Sequence, residues 1–324
     1  MISRRNLIKN VSLISAASLL TQAANASTVT QHTVNESNTP PLDTLRFGVI
    51  ADPQYAAIPS NKGSRFYANS LWKLEECIAA FNQTDLHFVI TLGDMIDRHW
   101  SSYDDILPIY DRLRHPNFFV LGNHDYSVAA DYLQSVARIN GLDNTYYDFS
   151  VGQYRFIVLD GNDVSLFAPP KGNPYLGLVD DPRIAIATER LANLQAKGAI
   201  NAKSWNGSLS ETQFNWLKLT LAAANENHES VIVFCHYPVF PANEHNLWDS
   251  DELVELLTAY PNVLAYFCGH NHQGNYGKLA GKHFINLKGM VETPTTTAYS
   301  IVTLSENRLD IEGFGREESR SLAI

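Results

Sequence analysis

Short apolar runs rich in Val, Ile and Phe recur along the chain at 45–51, 87–93, 117–122, 154–160, 230–235 and 263–269, separated by longer stretches with helical spacing. This alternation is the rhythm of an α/β sheet protein. Helices are expected over 65–82, 101–115, 210–225 and 249–260. In the third, Ser210 and Gln213 form a capping box, and Phe214, Leu217, Leu221 and Ala224 follow at core-facing spacing. Near the end, 283–287, 298–304 and 308–314 read as antiparallel strands joined by short turns. The pattern predicts an α/β fold of two packed mixed β-sheets flanked by helices, in one domain covering 43–324. Residues 161–206 show no steady period and carry Pro169, Pro170, Pro174 and Pro182. A loop that long inside a compact domain is usually functional, so it is expected to wall or cover the active site.

The first 26 residues differ in kind: Arg4, Arg5 and Lys9 without an acid, an apolar stretch over 11–20, then Ala24-Asn25-Ala26. That is the layout of a signal peptide with its cleavage site. Within it, Ser3-Arg4-Arg5-Asn6-Leu7-Ile8-Lys9 resembles the twin-arginine export signal of bacteria. The expected destination is the periplasm or the medium, with the twin-arginine translocase as a partner during export. Residues 27–42, rich in Thr, Asn, Gln and Pro, read as a disordered leader. No later apolar run reaches the roughly 18 residues of a membrane-spanning helix, so no membrane anchor is expected.

Without the three basic residues of that segment, the 24 Lys and Arg fall to 21 against 34 Asp and Glu, a formal charge of −13. Such a surface repels nucleic acid and anionic lipid. Cys77, Cys235 and Cys268 are odd in number and lie in apolar stretches, which predicts buried free thiols.

Polar clusters follow the apolar runs: Asp52-Pro53-Gln54, then Gly93-Asp94-Met95-Ile96-Asp97, Gly122-Asn123-His124-Asp125, Cys235-His236-Tyr237-Pro238 and Gly269-His270-Asn271-His272. Taken singly, each has an ordinary explanation: a turn cap, a helix N-cap, a left-handed turn, a hydrogen-bonded core histidine. Five such clusters, each at the carboxyl end of a predicted strand, are where an α/β fold gathers a binding site. Their O and N donors suit two metal ions sharing an anionic bridge. Asp94 is the expected bridge, with Asp52, Gln54 and His272 serving one metal and Asn123, His236 and His270 the other. No GxSxG elbow and no GxxxxGK[ST] loop offers serine or P-loop chemistry instead.

The ordered motifs resemble those of calcineurin-like metallophosphoesterases. Gln54, in Ala51-Asp52-Pro53-Gln54-Tyr55, stands where most members carry His, and in this the chain is similar to the manganese-dependent ADP-ribose/CDP-alcohol diphosphatases. The likeness runs from about Phe47 to Gly315 and includes Leu159-Asp160, Asp163-Val164-Ser165, Trp205-Asn206-Gly207 and Asn286-Leu287-Lys288-Gly289-Met290-Val291-Glu292-Thr293. It implies a hydrolase that uses two divalent ions, Mn2+ foremost, and a water nucleophile on a small nucleotide-type phosphoester, the alternative being a broad periplasmic phosphodiesterase or phosphomonoesterase. Some proteins of this fold are binding scaffolds that have lost metal ligands, whereas here each ligand position holds a competent donor. His124 is expected to protonate or stabilise the leaving oxygen, with Asp125 orienting its ring. Arg98 is a candidate phosphate contact, and Asn206 and Gly207 are candidates for the nucleotide side of the pocket.

Overall fold

A computed structural model describes residues 42–60, 63–173, 175 and 177–324, so the export-type segment and residues 27–41 of the leader lie outside the described residues. In chain order the elements are β1 (Thr44–Ile50), α1 (Ser70–Asn82), β2 (Phe88–Leu92), α2 (Ser102–Tyr110), β3 (Asn117–Val120), a one-turn α3 (Val136–Ile139), β4 (Tyr147–Val151) and β5 (Tyr154–Val158). There follow α4 (Pro182–Ala196), α5 (Glu211–Glu226), β6 (Ser230–Phe234), α6 (Ser250–Ala259), β7 (Val263–Cys268), β8 (Gln273–Leu279), β9 (Lys282–Lys288), β10 (Ala298–Ser305), β11 (Arg308–Gly315) and β12 (Arg320–Ala323).

Two six-stranded mixed sheets result, ordered β12-β11-β10-β1-β2-β3 and β4-β5-β6-β7-β9-β8. The parallel strands are β1, β2 and β3 in the first and β5, β6, β7 and β9 in the second. Alternate residues of β1 explain the layering. Leu45, Phe47 and Val49 point into the core between the sheets, beside Phe88, Phe156, Phe234 and Phe267, while Ile50 joins Phe81 and Leu74 under the helices. Phe47 stacks on Phe88 at 4.9 Å and meets Phe156 edge-on at 5.8 Å, so one ring spans both sheets. Burying such a ring stabilises by about 1.5–3 kcal/mol. Gly48 faces the other side, where a Cβ would lie 2.7 Å from the Phe81 ring. The sheet therefore meets α1 at a distance only glycine permits.

Leu217, Leu221 and Ala224 of α5 are buried. Its cap is half of the expected box: Ser210 Oγ accepts from the Gln213 N–H at 3.2 Å, but the Gln213 side chain turns away to the backbone of Asp160. The expected loop over 161–206 contains α4, which begins at Asp181, whose side chain caps it, and Pro182. Only Ala187 and Leu191 of that helix are buried, too few to leave a periodic trace. The three cysteines are free and buried. No helix among the described residues is long and apolar enough to cross a membrane.

Candidate metal centre

The carboxyl ends of β1, β2, β3, β6 and β7 converge, and each passes directly into one of the polar clusters. The turns are strained. Asp52, Gln54, Asp94 and His270 have φ of 50°, 44°, 53° and 66°, left-handed values that cost a non-glycine residue of order 1–3 kcal/mol and persist where surroundings over-determine them. Here they turn four polar side chains inward. Two glycines make room for the carboxylates: a Cβ on Gly122 would collide with that of Asp94, and one on Gly269 with that of Asp52.

Two sets of side chains each bring their ligand atoms within 4.8 Å of one another: Asp94, His236 and His270, and Asp52, Asp94 and His272. Asp94 belongs to both. Its Oδ2 lies 3.3 Å from His236 Nε2 and accepts from Gln54 Nε2 at 2.8 Å, and its Oδ1 accepts from the His124 backbone N–H at 2.8 Å. Asn123 Oδ1 is 3.2 Å from His236 Nε2, and Asp52 Oδ1 is 3.4 Å from His272 Nε2. The structure thus gathers Asp52, Gln54, Asp94, Asn123, His236, His270 and His272 in one place.

Each of the three histidines has one ring nitrogen committed to an acceptor. His236 Nδ1 donates to the Leu92 carbonyl at 2.7 Å, and His272 Nδ1 to Glu292 Oε1 at 2.7 Å, which leaves both Nε2 lone pairs facing inward. His270 is reversed. Asn206 spends its Nδ2 on the carbonyls of Asn201 and Glu244, so its Oδ1 must accept from His270 Nε2 at 3.0 Å, leaving Nδ1 free. Such outer partners fix the tautomer that a metal requires. Gln54 Oε1 and His272 Nε2 are also buried without a hydrogen-bond partner. Orphaned acceptors beside two buried carboxylates fit cations. Burial opposes the charge on Asp94, but His236 and His124 outweigh it and hold the carboxyl well below its usual range. Conversely, Asp94 and Asp52 overcome burial to lift His236 to about 9. Protons on His236 and His272 therefore balance the aspartates wherever cations do not, whereas burial and the neighbouring His236 push His270 well below the usual range.

The other candidates are placed differently from expectation. Asp125 does not touch the His124 ring. Its carboxylate accepts the backbone N–H groups of Gly122, Asp94 and Met95 at 2.9, 3.0 and 3.0 Å, tying the β2 and β3 turns together. The ring of His124 is met by Asp97, whose Oδ1 and backbone carbonyl lie 3.0 and 3.3 Å from Nδ1. Asp97 had been visible in its motif but carried no assigned role. Arg98 pairs with Asp97 and lies 5.8 Å over the Tyr67 ring, on the surface. Asn206 holds His270, and Gly207 is a packing point whose Cβ would collide with the Gly161 carbonyl. Sequence reading passed over Arg65, which lies outside the helix expected to contain it, bridged to Glu292. Its Nη1 is 3.5 Å from His124 Nε2, which places a cation at the mouth of the centre.

Residues 45–274 match the family model described as calcineurin-like phosphoesterase. A manganese-dependent ADP-ribose/CDP-alcohol diphosphatase of Arabidopsis thaliana is 30% identical over 296 residues, which is 84% of this chain and 95% of the relative. Its namesake in Homo sapiens is 27% identical, over 85% of this chain and 91% of its own length. Among solved structures, a dimetal phosphatase from Danio rerio aligns with a TM-score of 0.75 and 25% identity, over 86% of this chain and 98% of that one. With the family model covering more than half of its length, the chain belongs to the calcineurin-like phosphoesterases.

Proposed function

We propose that this phosphoesterase hydrolyses the phosphoanhydride of nucleoside diphosphates linked to a sugar or an alcohol, with two Mn2+ ions as cofactors. Asp52, Gln54, Asp94 and His272 would hold one ion, and Asp94, Asn123, His236 and His270 the other. The observation that carries this reading is the buried donor set with Asp94 common to both halves, beside which the Gln54 amide lies buried with its Oε1 unpaired. Its support for the substrate class is Gln54 together with relatives named for ADP-ribose and CDP-alcohols. When bound, two such ions generate hydroxide at neutral pH and neutralise charge on the phosphate. The chain's own residues do the rest. Arg65 meets a phosphate oxygen, and His124, its Nδ1 on Asp97, presents Nε2 to the leaving oxygen. Comparing CDP-choline, ADP-ribose, cyclic AMP and p-nitrophenyl phosphate with Mn2+ tests the substrate. Diphosphate-linked esters should lead in kcat/KM, and equal or faster turnover of the other two would replace this reading by a broad phosphodiesterase or phosphomonoesterase.

An amide oxygen is harder and weaker than imidazole and favours Mn2+ over Zn2+. Gln54→His should therefore shift the first ion's preference towards Zn2+ in metal titrations of both forms. An unchanged preference would mean that Gln54 does not bind the metal. We further propose twin-arginine export to the periplasm or medium, motivated by Arg4 and Arg5. Replacing both by Lys should trap the precursor in the cytoplasm, and export at the normal rate would contradict it.

A further inference from the structure

We infer that Lys73 is a positioning residue of the metal centre, an internal cation that fixes the segment carrying Glu292 and, through Glu292, the ring of His272. Lys73 sits in α1 with none of its surface exposed. Its Nζ donates to four successive carbonyls, those of Met290, Val291, Glu292 and Thr293, at 2.8, 3.2, 2.9 and 2.7 Å. An ammonium has three protons, so the four acceptors fully occupy it. Successive carbonyls of a regular strand point to opposite sides. Four on one side require an irregular backbone, here the turn at Met290–Val291 followed by Thr293 with φ of 65°, rare for a β-branched residue.

An apolar side chain would fill the same space without burying a charge, so the ammonium is there for what it holds. Burial, helped by Arg316, pulls its pKa down to about 8. The other edge of the segment is tied to the site itself. The N–H groups of Met290 and Val291 donate to the carbonyls of Ala51 and Asp52 at 2.9 and 3.0 Å. From there Glu292 Oε1 reaches His272 Nδ1 at 2.7 Å, and His272 Nε2 faces Asp52 Oδ1. Lys73 therefore braces two of the side chains proposed for one ion, Asp52 and His272. The rings of His236 and His270 are held elsewhere, by Leu92 and Asn206, and the path reaches His270 only at its backbone N–H, which donates to the Asp52 carboxylate at 3.0 Å.

The inference rests on the ligand assignment proposed above and makes an asymmetric demand on it. In equilibrium dialysis with Mn2+ and metal analysis, Lys73→Met should bind one of its two ions about 10-fold to 100-fold more weakly, the range lost with an outer-shell partner. The second ion should bind as in the unaltered protein. The double variant Lys73→Met/Glu292→Gln should be no weaker than the more affected single variant, because both act through one path. Equal weakening of both ions would mark a general structural role and overturn the inference, as would unchanged affinities in the folded variant. If Lys73→Met does not fold, Lys73→Gln, which keeps two N–H donors, should show the same one-sided loss at smaller amplitude, and wild-type affinity for both ions there overturns it. His272→Ala separates the two levels. If it still binds two Mn2+, the ligand assignment and this inference fall together. If it loses one while Lys73→Met keeps both at native affinity, only this inference falls.

Discussion

Asp94→Asn should bind neither ion at stoichiometric level and lose turnover with them, although it replaces one oxygen by nitrogen in a side chain of the same shape. Two effects act in the same direction. The carboxylate belongs to both donor sets, so its charge is lost to two ions at once. Both of its oxygens already accept, Oδ2 from Gln54 Nε2 and Oδ1 from the His124 backbone. An amide nitrogen in either place would meet a donor, at a cost of about 1–3 kcal/mol for each buried group left unpaired. The loss should exceed the roughly 10-fold to 100-fold that follows removal of an outer-shell partner. Metal analysis of the purified variant checks this, and two retained ions per chain would exclude Asp94 as the bridge.

Asp94 was visible in the sequence because it ends an apolar run that could only be a strand, and the same holds for Asp52, Asn123, His236 and His270. Strands whose residues are buried on both faces, such as β2 with every residue inside, leave an unbroken apolar signal. The exposed edge strand β8 does not. β8 reads Gln-Gly-Asn-Tyr-Gly-Lys-Leu with no residue buried and carries neither a run nor an alternation, whereas β4, Tyr-Asp-Phe-Ser-Val, does alternate, its Tyr147, Phe149 and Val151 packing against the core although none is fully buried. The shell around the proposed ligands was invisible for another reason. Glu292 on His272, Asn206 on His270 and the Leu92 carbonyl on His236 are joined across 20, 64 and 144 positions. Nothing local in the chain records such pairs. Asp125 shows how adjacency misleads: the 3-10 turn at His124–Tyr126 sends neighbouring side chains apart, so the carboxylate next to His124 binds backbone while one 27 positions away faces its ring.

That geometry makes His124 the residue whose removal should separate chemistry from metal binding. His124→Ala should keep two ions per chain and lose about 100-fold to 10,000-fold in turnover, the range for a general acid. Its backbone N–H still donates to Asp94 after the change, which is why the metal centre should survive. In the proposed mechanism the ring holds a proton where the leaving oxygen departs. Burial disfavours the charged ring, but Asp94 and Asp97 outweigh it and raise its pKa, while Asp97 also fixes the proton on Nδ1 and turns Nε2 outward. Asp97 is itself held below the usual carboxylate range, since His124 and Arg98 outweigh its burial. The sign for Asp97→Asn follows. Removing a negative charge from beside the imidazole lowers the pKa of the acid, so the alkaline limb of the kcat profile should move to lower pH while metal content stays at two. A His124→Ala form with near-normal turnover would remove the acid from this reading, and an alkaline limb that stays in place in Asp97→Asn would show that His124 is not the group being titrated.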